Sequence, residues 1–169
     1  MSLQDLQRQL EEERFAKWIE SIQQAHLGGR FTPNPEQYWT PLARPIRECT
    51  VALVSSIGIH TADQQPFDIL DPHGDWSIRK IPGDVESAKL RATHGHVDTG
   101  PANQDINCAF PIDRLRELAA EGVVGGVSPV HVGFMGFCPD SRHMRDETGP
   151  EIARLLQTAG AEAVVLTAG

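Results

Sequence analysis

Apolar residues near the amino terminus recur mostly at intervals of three and four: Leu3, Leu6, Leu10, Phe15, Trp18, Ile19 and Ile22, set among Gln, Glu and Arg. That spacing lines one face of a helix and predicts an amphipathic helix over residues 2–26, closed by Gly28 and Gly29. Residues 31–45 contain Pro33, Pro35, Pro41 and Pro45. Each ring removes a backbone donor and restricts the residue before it, so this stretch reads as an extended arm. The pattern then changes. Thr50–Ser55 is a short apolar, β-branched run that opens onto Ser56, Gly58 and His60, as a buried strand running into a loop would.

Residues 64–107 are rich in Asp, Pro, Gly and His, with one alternating piece, Trp76-Ser77-Ile78-Arg79-Lys80-Ile81. Loops of this length usually carry function. Order resumes at Pro111, where Asp113, Leu115, Leu118 and Ala119 mark a helix running to Gly122. A short strand is predicted at Val130–Phe134. Asp140 or Ser141 then caps a helix that buries Ile152, Ala153, Leu155 and Leu156 and closes at Gly160. It feeds Ala163–Thr167, a second all-apolar run. Strand, helix and strand in this order, apolar on both faces, imply a parallel crossover in a sheet covered by helices. The expected class is an α/β domain with a three-layer parallel sheet, flavodoxin-like or Rossmann-like. Two segments are expected: an amino-terminal helix and proline-rich arm over residues 1–49, and the α/β domain over residues 50–169. The last strand lacks a following helix, so the domain reads as incomplete at its carboxyl end.

Charge narrows the partners. With 15 Lys and Arg against 23 Asp and Glu, the net charge of −8 opposes binding to a phosphate backbone or an anionic lipid surface. The amino terminus has no apolar signal region, and no stretch reaches the roughly 18 apolar residues of a membrane span. A cytoplasmic location is expected. Cys49, Cys108 and Cys138 are odd in number and far apart, which argues for reduced thiols over a disulfide framework or a zinc cage. Neither a Walker loop, GxSxG nor a dinucleotide fingerprint is present, and no cofactor is expected.

Two local motifs carry candidate chemistry. His94-Gly95-His96-Val97-Asp98 places two imidazoles and a carboxylate within five residues, as a first-row metal site would. Thr99 stands where the metallo-β-lactamase pattern needs a further His, so hydrogen-bonded loop histidines are the plainer reading and no metal is expected. Cys138 lies near a helix amino terminus, where the dipole favours thiolate, although an unpaired Cys is more commonly a small buried hydrophobe. Ligands of such sheets sit beyond the carboxyl ends of the strands, an edge shared by His60 and the position after Gly169.

Several segments resemble a known family: VALVSSIGIH with Gln65-Pro66-Phe67-Asp68, THGHVD, QDINCAFPIDRLRELAAEGVVGG, HVGFMGF and AEAVVLTAG. In this order they are similar to the selenoprotein B family of glycine, sarcosine, betaine and D-proline reductases, from about Val51 to Gly169. The resemblance implies an oxidoreductase that cleaves a carbon–nitrogen bond reductively, with a selenolate or thiolate as nucleophile. In the family that selenocysteine or cysteine follows the apolar strand ending in Leu-Thr, so here it is expected after Gly169, as if a UGA codon had been read as stop. The residues expected around it, as substrate-binding groups, are His60, Asp68, His94, His96, Asp105, Asn107 and His131, with His60 or His96 as general acid. Implied partners are a small amine or amino-acid substrate, a thioredoxin-like reductant or other reductase subunits, and further copies of the chain. The plainer readings are that Asp105 caps a turn, Asn107 bonds its own backbone and His131 is a satisfied core histidine. A metal-dependent hydrolase built on His94, His96 and Asp98, or a non-catalytic binding subunit, are the alternatives.

Overall fold

The computed structural model describes residues Thr40–Ala168. The amphipathic helix expected over residues 2–26, and the arm up to residue 39, lie outside the described residues. The chain divides into two units, Met1–Thr40 and Pro41–Gly169, and every described strand and helix belongs to the second.

Among the described residues, seven strands form two sheets. β1 (Thr50–Ser55), β3 (Ile78–Pro82), β5 (Gly126–Val127), β6 (Val130–Phe134) and β7 (Ala163–Thr167) make the larger one, and β2 (Ile59–Thr61) pairs antiparallel with β4 (Leu90–Ala92) in the smaller. β1 is central. It runs parallel to β7 on one side, in register from Val51 opposite Ala163 to Ser55 opposite Thr167. Its other side takes β5 at its start and β6 at its end, both parallel, and β3 lies antiparallel beyond β6. The helices are α1 (Gly100–Gln104), α2 (Ile112–Ala120) and α3 (Gly149–Thr158). An α-turn, Ser141–His143, capped by Asp140, and a π-turn, Met144–Thr148, precede α3. Pro150 has no N–H to return to the turn before it, and Gly149 N–H reaches back five residues to Met144 O, which widens the helix there.

Alternation along β1 sends its side chains to two cores. Val51 and Leu53 join Ile57, Ile59, Ile81, Phe110, Ile112 and Leu115, while Ala52 and Val54 pack with Val132 and Leu156. The α/β class and the mostly parallel sheet are present. The regular flavodoxin-like stack is not seen. Turn-forming residues between β1 and α2 build the small β2–β4 sheet and short 3-10 turns where that stack would place long helices. β2 crosses β6 so closely that a Cβ at Gly133 would stand 1.9 Å from the Ile59 carbonyl oxygen.

Candidate functional site

The parallel strands β1, β6 and β7 present their carboxyl ends at one edge of the sheet, and that edge is stitched together by short-range polar contacts. Thr167 Oγ1 and Ser55 Oγ both donate to the Ala109 carbonyl, at 2.7 and 3.2 Å. Ser56 N–H donates to Thr167 O at 3.0 Å, and Gly136 N–H to Ser56 O at 2.7 Å. The segment that carries Cys108, an exposed thiol, is thereby fixed against the end of β7.

His96 lies at the same edge, its ring stacked on Phe137 at 3.8 Å, three residues beyond the end of β6. His94 is half-buried, edge-on to His96 at 6.3 Å, and its Nδ1 accepts the His96 N–H at 3.0 Å. An accepting Nδ1 requires a neutral ring with its proton on Nε2. Burial, followed by the neighbouring His96 imidazole, lowers the His94 pKa in the same sense. Asp98 is turned to its own loop, where Oδ1 accepts Gly100 N–H at 2.9 Å. Among the described residues, no three His, Cys, Asp or Glu side chains come together to hold a metal ion.

The other expected site residues are placed elsewhere or are engaged. His60 is buried on β2, where Nδ1–H donates to Thr61 O and Nε2 meets Thr93 Oγ1, each at 2.9 Å. His131 is buried within β6. Its Nδ1 accepts the Leu53 N–H at 2.9 Å, which supplies β1 with a ladder acceptor just past the Ser128-Pro129 break between β5 and β6. Desolvation, with the nearby Arg116 charge, pushes its pKa down to about 4, and its Nε2 has no partner among the described residues. Asp68 is exposed and accepts Leu70 and Asp71 N–H, at 2.9 and 3.2 Å.

Asp105 accepts Asn107 N–H at 3.0 Å and opens the 3-10 turn Ile106–Cys108. Asn107 Oδ1 accepts Asp113 N–H at 3.0 Å at the start of α2, and its Nδ2 donates to Asp113 Oδ2 at 2.9 Å. Arg116 closes this network by bonding Asp113 Oδ1 at 3.0 Å and the Gly83 and Val85 carbonyls at 2.9 and 2.5 Å. Those bonds hold the Asp113 carboxyl below its ordinary pKa, with the Asn107 amide as the largest cause. Cys138 is half-buried, its thiol donating to Asp140 O at 3.1 Å, and burial pushes its pKa up. That environment favours the thiol over the thiolate.

The strand-end clamp of Ser55, Thr167 and Ala109 was not anticipated from sequence, because each residue is ordinary alone and only the fold brings them together. The same holds for the Phe137 platform under His96.

The profile of glycine/sarcosine/betaine reductase selenoprotein B (GRDB) matches residues 33–169, most of the chain. The chain belongs to this selenoprotein B family. It is 44% identical over 136 residues to D-proline reductase subunit gamma of Acetoanaerobium sticklandii, an alignment covering 80% of this chain and 55% of that protein. It is 30% identical over 141 residues to glycine reductase complex component B subunit gamma of Carboxydothermus hydrogenoformans, covering 82% of this chain and 31% of the relative. The same subunit of Symbiobacterium thermophilum is 27% identical over 141 residues. This selenoprotein B family member thus spans about half the length of the first relative and about a third of the others. No solved structure matches it. Among its described residues, no helix is long and apolar enough to cross a membrane.

Proposed function

We propose that the protein acts as the gamma-type subunit of a reductase that cleaves a carbon–nitrogen bond in an amino acid or betaine-like substrate. The observation that carries this reading is the family match over residues 33–169, which runs through the stitched carboxyl edge of β1, β6 and β7. Open α/β sheets hold their ligands beyond that edge. In the proposed reaction a selenolate or thiolate, presented in the family just after the strand that corresponds to β7, bonds the α-carbon as the amine leaves. A second thiol then attacks that chalcogen, so that the carbon–chalcogen bond breaks, the carbon takes up a proton, and a selenenyl sulfide or disulfide is left. Two electrons and two protons are consumed per bond broken, leaving a C–H and an amine N–H. The oxidised chalcogen must then be reduced by a dithiol, for which a thioredoxin-like donor has the right chemistry.

Of the two imidazoles that could serve as general acid, His96 is the more apt, being exposed at the edge while His60 is buried and bonded on both nitrogens. The relatives' names, subunit gamma and component B subunit gamma, support assembly with other subunits. The cytoplasm is the compartment in which such reduced thiols persist.

The test is turnover of a full-length gene product assembled with its partner subunits. Replacing the selenocysteine or cysteine after β7 by Ser should abolish reduction of every substrate. His96→Gln should lower kcat about 100-fold and shift the acid limb of its pH profile. Undiminished turnover in the Ser variant would sink the proposal.

A further inference from the structure

Ser55 on β1 and Thr167 on β7 stand opposite one another in the parallel register, so their side chains leave the same face of the sheet. Both hydroxyls reach one acceptor. Thr167 Oγ1 donates to Ala109 O at 2.7 Å and Ser55 Oγ donates to it at 3.2 Å, which matches the two lone pairs of a carbonyl on a buried residue. That carbonyl is itself held in place. The Ala109 and Phe110 N–H groups both return to Ile106 O, at 3.1 and 2.7 Å, and Phe110 is fully buried. Asn107 locks the same turn to Asp113 at the start of α2.

Thr167 is fixed through its backbone as well, because its carbonyl accepts the Ser56 N–H at 3.0 Å. Ser56 O in turn accepts the Gly136 N–H at 2.7 Å, and the next residue, Phe137, carries the His96 ring at 3.8 Å. One run of contacts therefore joins Ala109, the end of β7 and the platform of His96. A Thr side chain is branched at Cβ and stiff about χ1, so a bond from its hydroxyl constrains the backbone that bears it. Three extended residues reach only about 10 Å. A group presented just past β7 thus inherits the direction in which Thr167 leaves the sheet.

We propose that Thr167 is a positioning residue, whose bond to Ala109 O sets the exit of β7 and so aligns the selenolate or thiolate with the substrate carbon and with His96. This role rests on the reductase reading for the identity of the nucleophile. Ser55 shares the acceptor but not the exit, since the chain beyond it turns towards β2, and its bond is the longer of the two. The two hydroxyls therefore differ in what they do. Ser55 supports the Ala109 carbonyl, whereas Thr167 transmits the position of that carbonyl to the reacting group.

Three substitutions in the full-length gene product, assembled with its partner subunits, test this role. Thr167→Val keeps the branched shape of the strand residue and removes the hydroxyl, while Ser55 still donates to Ala109 O, so the thermal melt should stay close to that of the parent. kcat should fall about 10- to 100-fold with KM within about twofold, because a misaligned nucleophile loses orientation rather than substrate binding. Thr167→Ser returns the donor and should bring kcat back to within about threefold of the parent. Ser55→Ala removes the other donor to the same carbonyl and should lower kcat by at most about threefold. Equal losses in Thr167→Val and Ser55→Ala, or a Thr167→Ser enzyme as slow as Thr167→Val, would reduce the pair to a structural clamp and overturn the proposal. Parental kcat in Thr167→Val, with turnover still abolished when the nucleophile is replaced by Ser, removes the positioning role and keeps the reductase. Turnover that survives loss of the nucleophile removes the reductase reading and this role with it.

Discussion

His131 joins two conditions that its imidazole meets in only one protonation state. It is fully buried, and its Nδ1 must stay unprotonated to accept the Leu53 N–H. Its pKa accordingly falls from 6.5 to about 4. In the unfolded chain the ring takes up a proton near pH 6.5, whereas the folded protein refuses it until about pH 4. The folded state is therefore unaffected above about pH 6.5 and loses stability steadily as pH falls through that window. Below about pH 4 the loss levels off, at about 3 kcal/mol from this residue. Urea unfolding from pH 7 to 4 should show the decline, and His131→Leu, though less stable at pH 7, should show a shallower one. Parallel slopes would refute the assignment. His94 titrates in the same direction, so the difference between the two proteins is the informative quantity. Sequence placed His131 among the candidate site residues because it lies in the run that leads to the sheet edge. A buried histidine on β6 satisfies the same pattern, and only the ladder gap at Ser128-Pro129 shows why an imidazole belongs there.

At the scale of elements, Thr50–Ser55, Val130–Phe134 and Ala163–Thr167 were legible because both of their faces are apolar or buried neighbours flank them. The helix starting after Pro111 and the Asp140 cap were legible from capping chemistry. β2 and β4 were not, since Ile-His-Thr and Leu-Arg-Ala are too short to show a period. The block from Asp105 to Arg116 was legible as a motif but not in its role. Its polar residues lock the turn to α2 and to the Gly83 and Val85 carbonyls. The crossing of β2 over β6 gives a direct test. A methyl at Gly133 would meet the Ile59 carbonyl oxygen at 1.9 Å, whereas one at Gly126 has nothing within 4 Å. Gly133→Ala should cost about 3 kcal/mol in chemical denaturation and Gly126→Ala less than about 0.5 kcal/mol. Equal midpoints would mean that the two sheets are not in contact there.

At the scale of the whole molecule, the outer side of β7 is the apolar strand face to consider among the described residues. Among the described strands β7 pairs with β1 alone, and Val164, Val165 and Leu166 are 44%, 44% and 76% exposed. Beside it, Ile152, Leu156, Val164 and Leu166 line an apolar groove of about 510 Å³. Natural edge strands are usually guarded by a charge, a proline or a bulge, and Ala163–Thr167 has none of these. Glu162, the flanking charge, is occupied by Arg44. A second copy can therefore add its own β7 antiparallel about a twofold at Val165, which sets Val164 opposite Leu166 and brings no like charges together within the strand. The remaining opposition is the net charge of −8, a diffuse repulsion that salt screens. Sedimentation of the chain should show association that grows with concentration and with added salt, since the contact is apolar and the repulsion is not. Val165→Lys places a charge at the centre of the seam and should weaken association at least about tenfold, or about 1.4 kcal/mol. Chains that stay monomeric at all concentrations, or a Lys variant that associates as strongly as the parent, would show that β7 is not the seam.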